Sequence, residues 1–232
     1  QASDRPINSA IVDAFKAVQA EGGVPLLIGS DEVTNARMER DAQGRADLAS
    51  DQRFNSAVLI HVGRVLPDRY DKIDLTPFGE VIPWLWRVPA LQRAVLAVGA
   101  GGMKFDLNFG ERAEPIVIPG VTDPGGSSGA AMATPICFEI TRSSLCRRLT
   151  YTSSGTRRAN VLINISNDGW FGPQGGIRGW VGEAARQQHL LAARWRCVEL
   201  GMPLVRAVNT GISSFVDRRG RVLPRTPASG AK

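Results

Sequence analysis

Short apolar runs alternate with helical patterns along most of this chain, and this alternation constrains the fold more than any other feature. The runs have the length of strands and are bounded by glycine, proline or polar clusters. The segments between them repeat apolar residues every three or four positions. Alternating strands and helices are typical of an α/β layered domain. Because we find neither an internal repeat nor a clear linker, we predict one domain over residues 1–232.

The pattern predicts helices at residues 7–20, 142–149 and 182–200, and Gly201 ends the last of them. A polar loop rich in Asp, Arg and Gln separates the first two predicted strands. Residues 63–83 read as a loop because prolines and glycines punctuate them. The predicted strands are 24–29, 54–62, 115–119, 132–138, 160–165, 204–208 and 213–216.

The charge balance favours anionic partners, since the formal net charge is +6 and the pI is about 9.8. Phospholipid headgroups and nucleic acid both fit such a charge. However, the basic residues form scattered pairs instead of one dense run, and no aromatic-plus-basic motif accompanies them, so we predict no nucleic-acid partner. The nearest candidate for a membrane span, 81–103, contains two arginines and two prolines. It therefore reads as an amphipathic excursion and not as a membrane span.

One thiol, that of Cys137, stands near the end of the apolar, strand-like run 134–139. Thiolates are the reactive form of cysteine, and a nearby ammonium such as that of Lys72 would stabilise the anion. The alternative for an isolated cysteine is a buried structural role. Here Lys72 and two glutamates, Glu80 and Glu139, favour catalysis. As a loop residue, Lys72 is expected to contribute little packing.

The remaining polar candidates favour structural roles. Without any CxxC spacing, the cysteines predict neither a zinc site nor a disulfide scaffold, and Cys146 and Cys197 read as inert helix residues. His189 has no second histidine nearby, which favours a hydrogen-bonded structural role over metal binding. Arg196 and Glu199 are spaced i and i+3 on one helix, which predicts an ion pair.

Three blocks together resemble the nitrilase, or carbon–nitrogen hydrolase, superfamily: KIDLTPFGE at 72–80, ICFE at 136–139 and ISNDGWFG at 165–172. More narrowly, PFGE combined with NDGWFG resembles the apolipoprotein N-acyltransferase branch, in its periplasmic domain. The resemblance covers roughly residues 5–223. It implies an α/β fold, the four-layer αββα sandwich of the nitrilase type, and a Glu–Lys–Cys triad.

The resemblance also implies roles for individual residues. Cys137 would be the nucleophile, Lys72 the ammonium that steadies the oxyanion, and Glu80 the second active-site glutamate. No metal and no cofactor are implied. The predicted substrate-binding residues are Glu139, Phe138, Trp170 and Trp84.

Three of these substrate-binding residues have an alternative role. Glu139 could instead make a structural hydrogen bond, and Trp170 could be a core aromatic. Trp84 opens an apolar segment, 84–96, which we interpret as a lid that binds the acyl chain and excludes water. It could equally pack against the domain.

The resemblance to the apolipoprotein N-acyltransferase branch implies a reaction in which an acyl chain is transferred from a phospholipid, through a cysteine thioester, to the N-terminal amine of a diacylglyceryl-cysteine lipoprotein. The implied partners are the phospholipid donor, lipoproteins and the membrane surface. The implied location is the periplasmic face of the bacterial inner membrane.

One departure from the family pattern matters. The family places its base glutamate in a Trp-Pro-Glu-like motif upstream of the first matched helix, and the sequence has no such motif. We therefore expect an N-terminally truncated fragment, without the first strand and the flanking membrane helices and inactive alone. The alternatives are a soluble amidase of the same superfamily or a catalytically dead binding module. The acyltransferase interpretation requires the Cys137 thiol and the Lys72 ammonium to share one cavity.

Overall fold

The described chain groups into two compact units, residues 1–112 and 113–232. Each unit contains its own β-sheet. The single domain predicted over 1–232 stays a prediction. The computed structural model describes residues 9–40, 46–77, 80, 107–122, 128–172 and 176–224.

In the first unit, helix α1 (Ser9–Gly22) precedes a three-stranded antiparallel sheet of order β1-β4-β5. Strand β4 lies in the centre of this sheet and packs against α1, and its residues 56–60 are buried. Strands β2 and β3 form a separate hairpin. The strands are β1 (Leu26–Thr34), β2 (Arg37–Arg40), β3 (Ala46–Ala49), β4 (Gln52–His61) and β5 (Arg64–Asp71).

Two predicted loops of this unit contain strands, so those predictions were wrong. The β2–β3 hairpin lies within the polar segment, and β5 lies within the segment 63–83. Val62 and Gly63 both have positive φ angles, of 50° and 69°, which suits a tight two-residue hairpin turn. Pro67 is tolerated because β5 is an edge strand and its register with β4 shifts beside this position.

The second unit has a five-stranded mixed sheet of order β10-β9-β8-β7-β6. The neighbours β7–β8 and β8–β9 are parallel, and parallel neighbours need crossover connections. The crossovers contain helices α2 (Ser143–Thr150) and α3 (Gly176–Leu200). These helices confirm the predicted helical segments, although α3 begins earlier than predicted. The strands are β6 (Ile116–Thr122), β7 (Ser128–Ala133), β8 (Val161–Ser166), β9 (Leu204–Val208) and β10 (Ser214–Val216).

The carboxyl ends of the parallel strands meet at one edge of this sheet. The chain leaves β7 toward Cys137, leaves β8 toward Asp168 and leaves β9 toward Asn209. The predicted strand 132–138 was wrong in its second half, since β7 ends at Ala133 and Cys137 begins a 3₁₀ helix. Pro135 has no N–H to continue a ladder, which helps to end the strand.

Helix α3 has 25 residues, the longest of the helices described, and it carries several arginines. In the described parts of the chain, no helix combines the length and the apolar character needed to cross a membrane.

Leu162, the second residue of the central strand β8, is fully buried, whereas Leu191 on α3 is 47% exposed. We predict that Leu162→Ala lowers the free energy of unfolding by about 2–5 kcal/mol, because it leaves a cavity in the core. Leu191→Ala should change it by at most about 0.5 kcal/mol. Denaturant unfolding of both variants checks this comparison. Equal losses would place the core of this unit elsewhere.

Candidate functional site

Lys72 follows β5 directly, and only 1% of its surface is exposed. Its Nζ atom donates hydrogen bonds to Oε2 of Glu80 at 2.5 Å and to the hydroxyl of Thr76 at 3.1 Å. An ammonium has three N–H groups, so within the described part of the chain these two bonds leave one for a further acceptor. The expectation that Lys72 contributes little packing was wrong, because its whole stem is buried.

The Glu80 carboxylate is the counterion of Lys72. Its Oε2 atom also accepts the Thr76 N–H at 2.7 Å, and its Oε1 atom accepts Nδ2 of Asn55 at 2.8 Å. Burial raises the pKa of Glu80, but the charge of Lys72 and these hydrogen bonds outweigh burial and hold the pKa below its ordinary value. Glu80 therefore stays ionised at neutral pH and fixes the position of the ammonium.

The main chain of Lys72 is held from two directions. Its N–H donates to the Asn55 carbonyl, and its own carbonyl accepts the N–H of Gly110, both at 2.8 Å. A Cβ atom at Gly110 would lie 2.0 Å from the carbonyl oxygen of Asp71. Only glycine permits so close an approach. The ammonium therefore projects from a rigid stretch of backbone.

In the second unit, Cys137 is the first residue of the 3₁₀ helix Cys137–Thr141, and its φ angle is +51°. This left-handed conformation costs an L-residue with a Cβ about 1–2 kcal/mol. Such strain persists only where the surroundings hold it. The contacts around Cys137 supply that restraint.

Glu139 provides the first restraint. Its side chain is fully buried, and its Oε2 atom accepts the N–H of Ile136 at 2.7 Å. The N–H of Glu139 in turn donates to the Ile136 carbonyl at 3.1 Å. The carboxylate thus makes a structural hydrogen bond to the residue before Cys137. That Glu139 also contacts substrate stays a prediction.

Two further side chains donate to the carbonyl oxygen of Cys137. Nδ2 of Asn164 on β8 lies 3.2 Å away, and Nε2 of His189 on α3 also lies 3.2 Å away. Both donors are buried, with 0% and 7% of their surfaces exposed. A hydrogen bond contributes about 1 kcal/mol net, so two bonds are of the size needed to offset the left-handed backbone.

Asp168 and Arg206 close a ring behind these donors. Oδ1 of Asp168 lies 3.1 Å from Nδ1 of His189, and its Oδ2 atom accepts Nη2 of Arg206 at 3.0 Å. Arg206 also donates through Nη1 to the side-chain oxygen of Asn164. Asp168 and Arg206 are 1% and 2% exposed. We call Asn164, Asp168, His189 and Arg206 the buried ring.

The charges of the buried ring are matched. Burial raises the pKa of Asp168, but hydrogen bonds from His189 and Ser166 and the charge of Arg206 hold that pKa below its ordinary value. Burial lowers the pKa of Arg206, and Asp168 offsets part of this effect. A guanidinium nevertheless stays protonated at neutral pH. The ring therefore contains an ion pair in which each charge has its partner.

Most of the buried ring was not predicted from the sequence. The hydrogen-bonded role predicted for His189 is confirmed, but we had singled out neither Asp168, Asn164 nor Arg206. Asp168 lies inside the ISNDGWFG block, so the sequence held a signal for this member of the ring.

The remaining residues predicted from the sequence differ in their exposure, and some lie outside the described residues. Phe138 is 36% exposed and Trp170 is 55% exposed, so Trp170 is not a core aromatic. Trp84 and the predicted lid lie outside the described residues. The Arg196–Glu199 ion pair is confirmed at 2.6 Å.

The buried cysteines fit the inert roles predicted for them. Cys146 and Cys197 are both fully buried, and their thiols donate to nearby backbone carbonyls. Burial raises the pKa of Cys197 to about 12, so this group is a neutral thiol at physiological pH.

A family model named carbon–nitrogen hydrolase matches residues 1–231. The chain belongs to the carbon–nitrogen hydrolase family. Among curated proteins it is similar to the apolipoprotein N-acyltransferases of Geobacter metallireducens (34% identity over 75% of this chain) and Haemophilus influenzae (35% over 69%). A third relative with this name, from Bradyrhizobium diazoefficiens, is 36% identical over 73% of the chain. The chain spans 26–28% of the length of these relatives.

Solved structures show the same fold as this member of the carbon–nitrogen hydrolase family. A carbon–nitrogen hydrolase from Helicobacter pylori matches with a TM-score of 0.57 at 17% identity, covering 93% of this chain and 62% of its own. An amidase from Nesterenkonia sp. matches with a TM-score of 0.54 at 16% identity, covering 96% and 64%. The α/β sandwich class of the nitrilase type is therefore confirmed.

We predict that Glu80→Gln lowers the free energy of unfolding at neutral pH by about 1–3 kcal/mol, because the buried Lys72 loses its counterion. The pKa of Glu80 is lowered on folding, so its ionised form stabilises the fold above the ordinary value of 4.5. This contribution disappears as the pH falls through the lowered pKa.

The stability difference between Glu80→Gln and the unaltered protein should therefore shrink on acidification below about pH 4.5. Denaturant unfolding at a series of pH values measures it. Asp13→Asn, in an exposed pair with Lys16, is the control and should show almost no difference at any pH. A difference for Glu80→Gln that stays constant with pH would contradict the role of its charge.

Proposed function

We propose that this chain is the catalytic domain of an apolipoprotein N-acyltransferase that acts through a cysteine thioester. The observation that carries this proposal is the 34–36% identity to three relatives of that name. One feature of each unit supports it: a buried ammonium with one N–H to donate in the first unit, and a cysteine held in a left-handed turn in the second. The proposed acyl donor is a phospholipid, and the proposed acceptor is a diacylglyceryl-modified lipoprotein at the periplasmic face of the inner membrane.

In the first step, the Cys137 thiolate attacks the ester carbonyl of the phospholipid. The carbon–sulfur bond forms while the carbonyl oxygen becomes an oxyanion. We assign the remaining N–H of Lys72 and the backbone N–H of Phe138 as its donors. The oxyanion then collapses, the ester carbon–oxygen bond breaks, and the lysophospholipid leaves as an alcohol after taking a proton. Cys137 is left as a thioester.

In the second step, the α-amine of the lipoprotein cysteine attacks the thioester carbonyl. The same donors stabilise the second oxyanion, the carbon–sulfur bond breaks, and an amide and the free thiol result. Both steps need a base that accepts a proton from the thiol and from the amine. The family resemblance gives this role to a glutamate in a Trp-Pro-Glu-like motif, which these 232 residues do not contain.

We predict that Cys137→Ala in the full-length protein abolishes the acyl-enzyme, because no other residue of the proposed mechanism can carry the acyl group. Intact-protein mass spectrometry after incubation with phosphatidylethanolamine vesicles detects the adduct, and neutral hydroxylamine should release it. Cys197→Ala is the matched control and should keep the adduct.

An undiminished adduct in Cys137→Ala would remove Cys137 from the mechanism. An adduct that water releases rapidly without an amine, together with fast hydrolysis of small amides, would favour the amidase alternative over the acyltransferase.

We further predict that Lys72→Met slows formation of the acyl-enzyme by about 10²–10³-fold, the usual effect of losing one oxyanion donor. Methionine keeps most of the buried stem but carries no charge. Lys16→Met, at an exposed site on α1, is the control and should leave the rate unchanged. The rate is measured by quenched mass spectrometry. A normal rate in a folded Lys72→Met protein would contradict the proposed role.

A further inference from the structure

We propose that His189 and Asn164 are positioning residues that aim the N–H of Phe138 at the oxyanion, and that Asp168 and Arg206 hold these two donors in place. This inference rests on the proposed function, because it assumes that Cys137 forms an acyl adduct through a tetrahedral intermediate. It assigns to the buried ring a task in the reaction beyond packing.

The geometry of one peptide bond links the ring to the oxyanion. In a trans peptide, the carbonyl of one residue and the N–H of the next point in opposite directions. His189 and Asn164 draw the Cys137 carbonyl toward the buried interior of this unit. The N–H of Phe138 must then point away from the interior. Phe138 itself is 36% exposed, so this residue lies at the surface of the unit.

The N–H of Phe138 also precedes the first hydrogen bond of the 3₁₀ helix. That bond runs from the N–H of Glu139 to the carbonyl of Ile136. The first N–H groups of a helix have no acceptor within it. The Phe138 N–H is therefore a group that a developing oxyanion can use without breaking the helix.

The hydrogen bond from His189 to Cys137 holds in either charge state of the imidazole. A carbonyl only accepts, so Nε2 must carry a proton. If Nδ1 is also protonated, it donates a hydrogen bond to Oδ1 of Asp168 at 3.1 Å. If Nδ1 is unprotonated, it can accept Nη2 of Arg206 at 3.0 Å. The two partners of Nδ1 thus keep Nε2 aimed at the Cys137 carbonyl.

Asp168 has little room to move. Its Oδ1 atom accepts the Ser166 hydroxyl at 2.7 Å, and its N–H donates to Oδ1 of Asn209 at 3.1 Å. A Cβ atom at Gly211 would lie 2.4 Å from Oδ2 of Asp168, so there is no space for a side chain between this backbone position and the carboxylate. Such confinement suits a group that orients others.

Two reactions of Cys137 separate positioning from simple structural support. Acylation by p-nitrophenyl butyrate passes through an oxyanion, whereas alkylation by iodoacetamide does not. We compare His189→Leu, which removes the donor, with His189→Gln, whose Nε2 atom can still donate to the Cys137 carbonyl. Gln187→Leu, on the exposed side of α3, is the control for a leucine on this helix. The full-length protein is used throughout, with Cys197 left unchanged.

His189→Leu should slow acylation by about 10²-fold, the effect expected when one oxyanion donor is misaligned. Its alkylation rate should stay within about threefold of the unaltered protein, because no oxyanion forms. His189→Gln should recover most of the acylation rate, and Gln187→Leu should match the unaltered protein. Equal losses in both reactions, no loss of acylation, or a glutamine variant as slow as the leucine variant would each overturn the proposal.

Should His189→Leu fail to fold in a thermal unfolding scan, His189→Asn provides the same comparison. Its polar side chain is too short to reach the Cys137 carbonyl, so acylation should be lost while alkylation is kept. The test also separates this inference from the proposed function. If phospholipids do not acylate Cys137 but the butyrate ester does, the acyltransferase proposal fails and the positioning role is still decided by the variants.

Discussion

The left-handed backbone of Cys137 is the constraint on which the second unit depends. Cys137 is partly buried at the start of a 3₁₀ helix, and its left-handed conformation has to be held by its surroundings. The restraint comes from three directions: Glu139 within the turn, Asn164 on β8 and His189 on α3. The parallel order of β7, β8 and β9 brings these contributions to one sheet edge. The sheet topology therefore supplies the contacts that hold the left-handed backbone of Cys137.

The partly buried carboxylate of Glu80 and the buried carboxylates of Asp168 and Glu139 serve different purposes because their partners differ. Glu80 faces an ammonium and fixes a positive charge, while Asp168 faces the guanidinium of Arg206 and the imidazole of His189. Glu139 accepts a backbone N–H and shapes the turn. Because an unpaired carboxylate is costly to bury, each of these three carboxylates has a cation or a hydrogen-bond donor next to it. In the proposed reaction, the Lys72–Glu80 pair supplies a donor to the oxyanion, whereas the Asp168–Arg206 pair acts only through the residues that it holds in place.

Much of the fold could be predicted from the sequence, and the predictions that were wrong have physical causes. Strand β9 was predicted with its observed bounds, since Leu204–Val208 is a buried apolar run between punctuating residues. The strand β5 was missed because Pro67 usually argues against a strand, yet an edge position and a shifted register accommodate it. The predicted strand 132–138 was too long, because an apolar run alone does not reveal where pairing with β8 ends at Ala133.

The sequence by itself determined the α/β class, the family and the identity of the candidate nucleophile and cation, because these follow from local patterns and short motifs. Only the tertiary structure decided that Lys72 is buried against Glu80, and that Asp168, His189, Arg206 and Asn164 form a ring behind Cys137. The members of the ring are separated by up to 42 positions in the chain. Their meeting depends on the packing of α3 and the register of parallel strands, which no local pattern encodes.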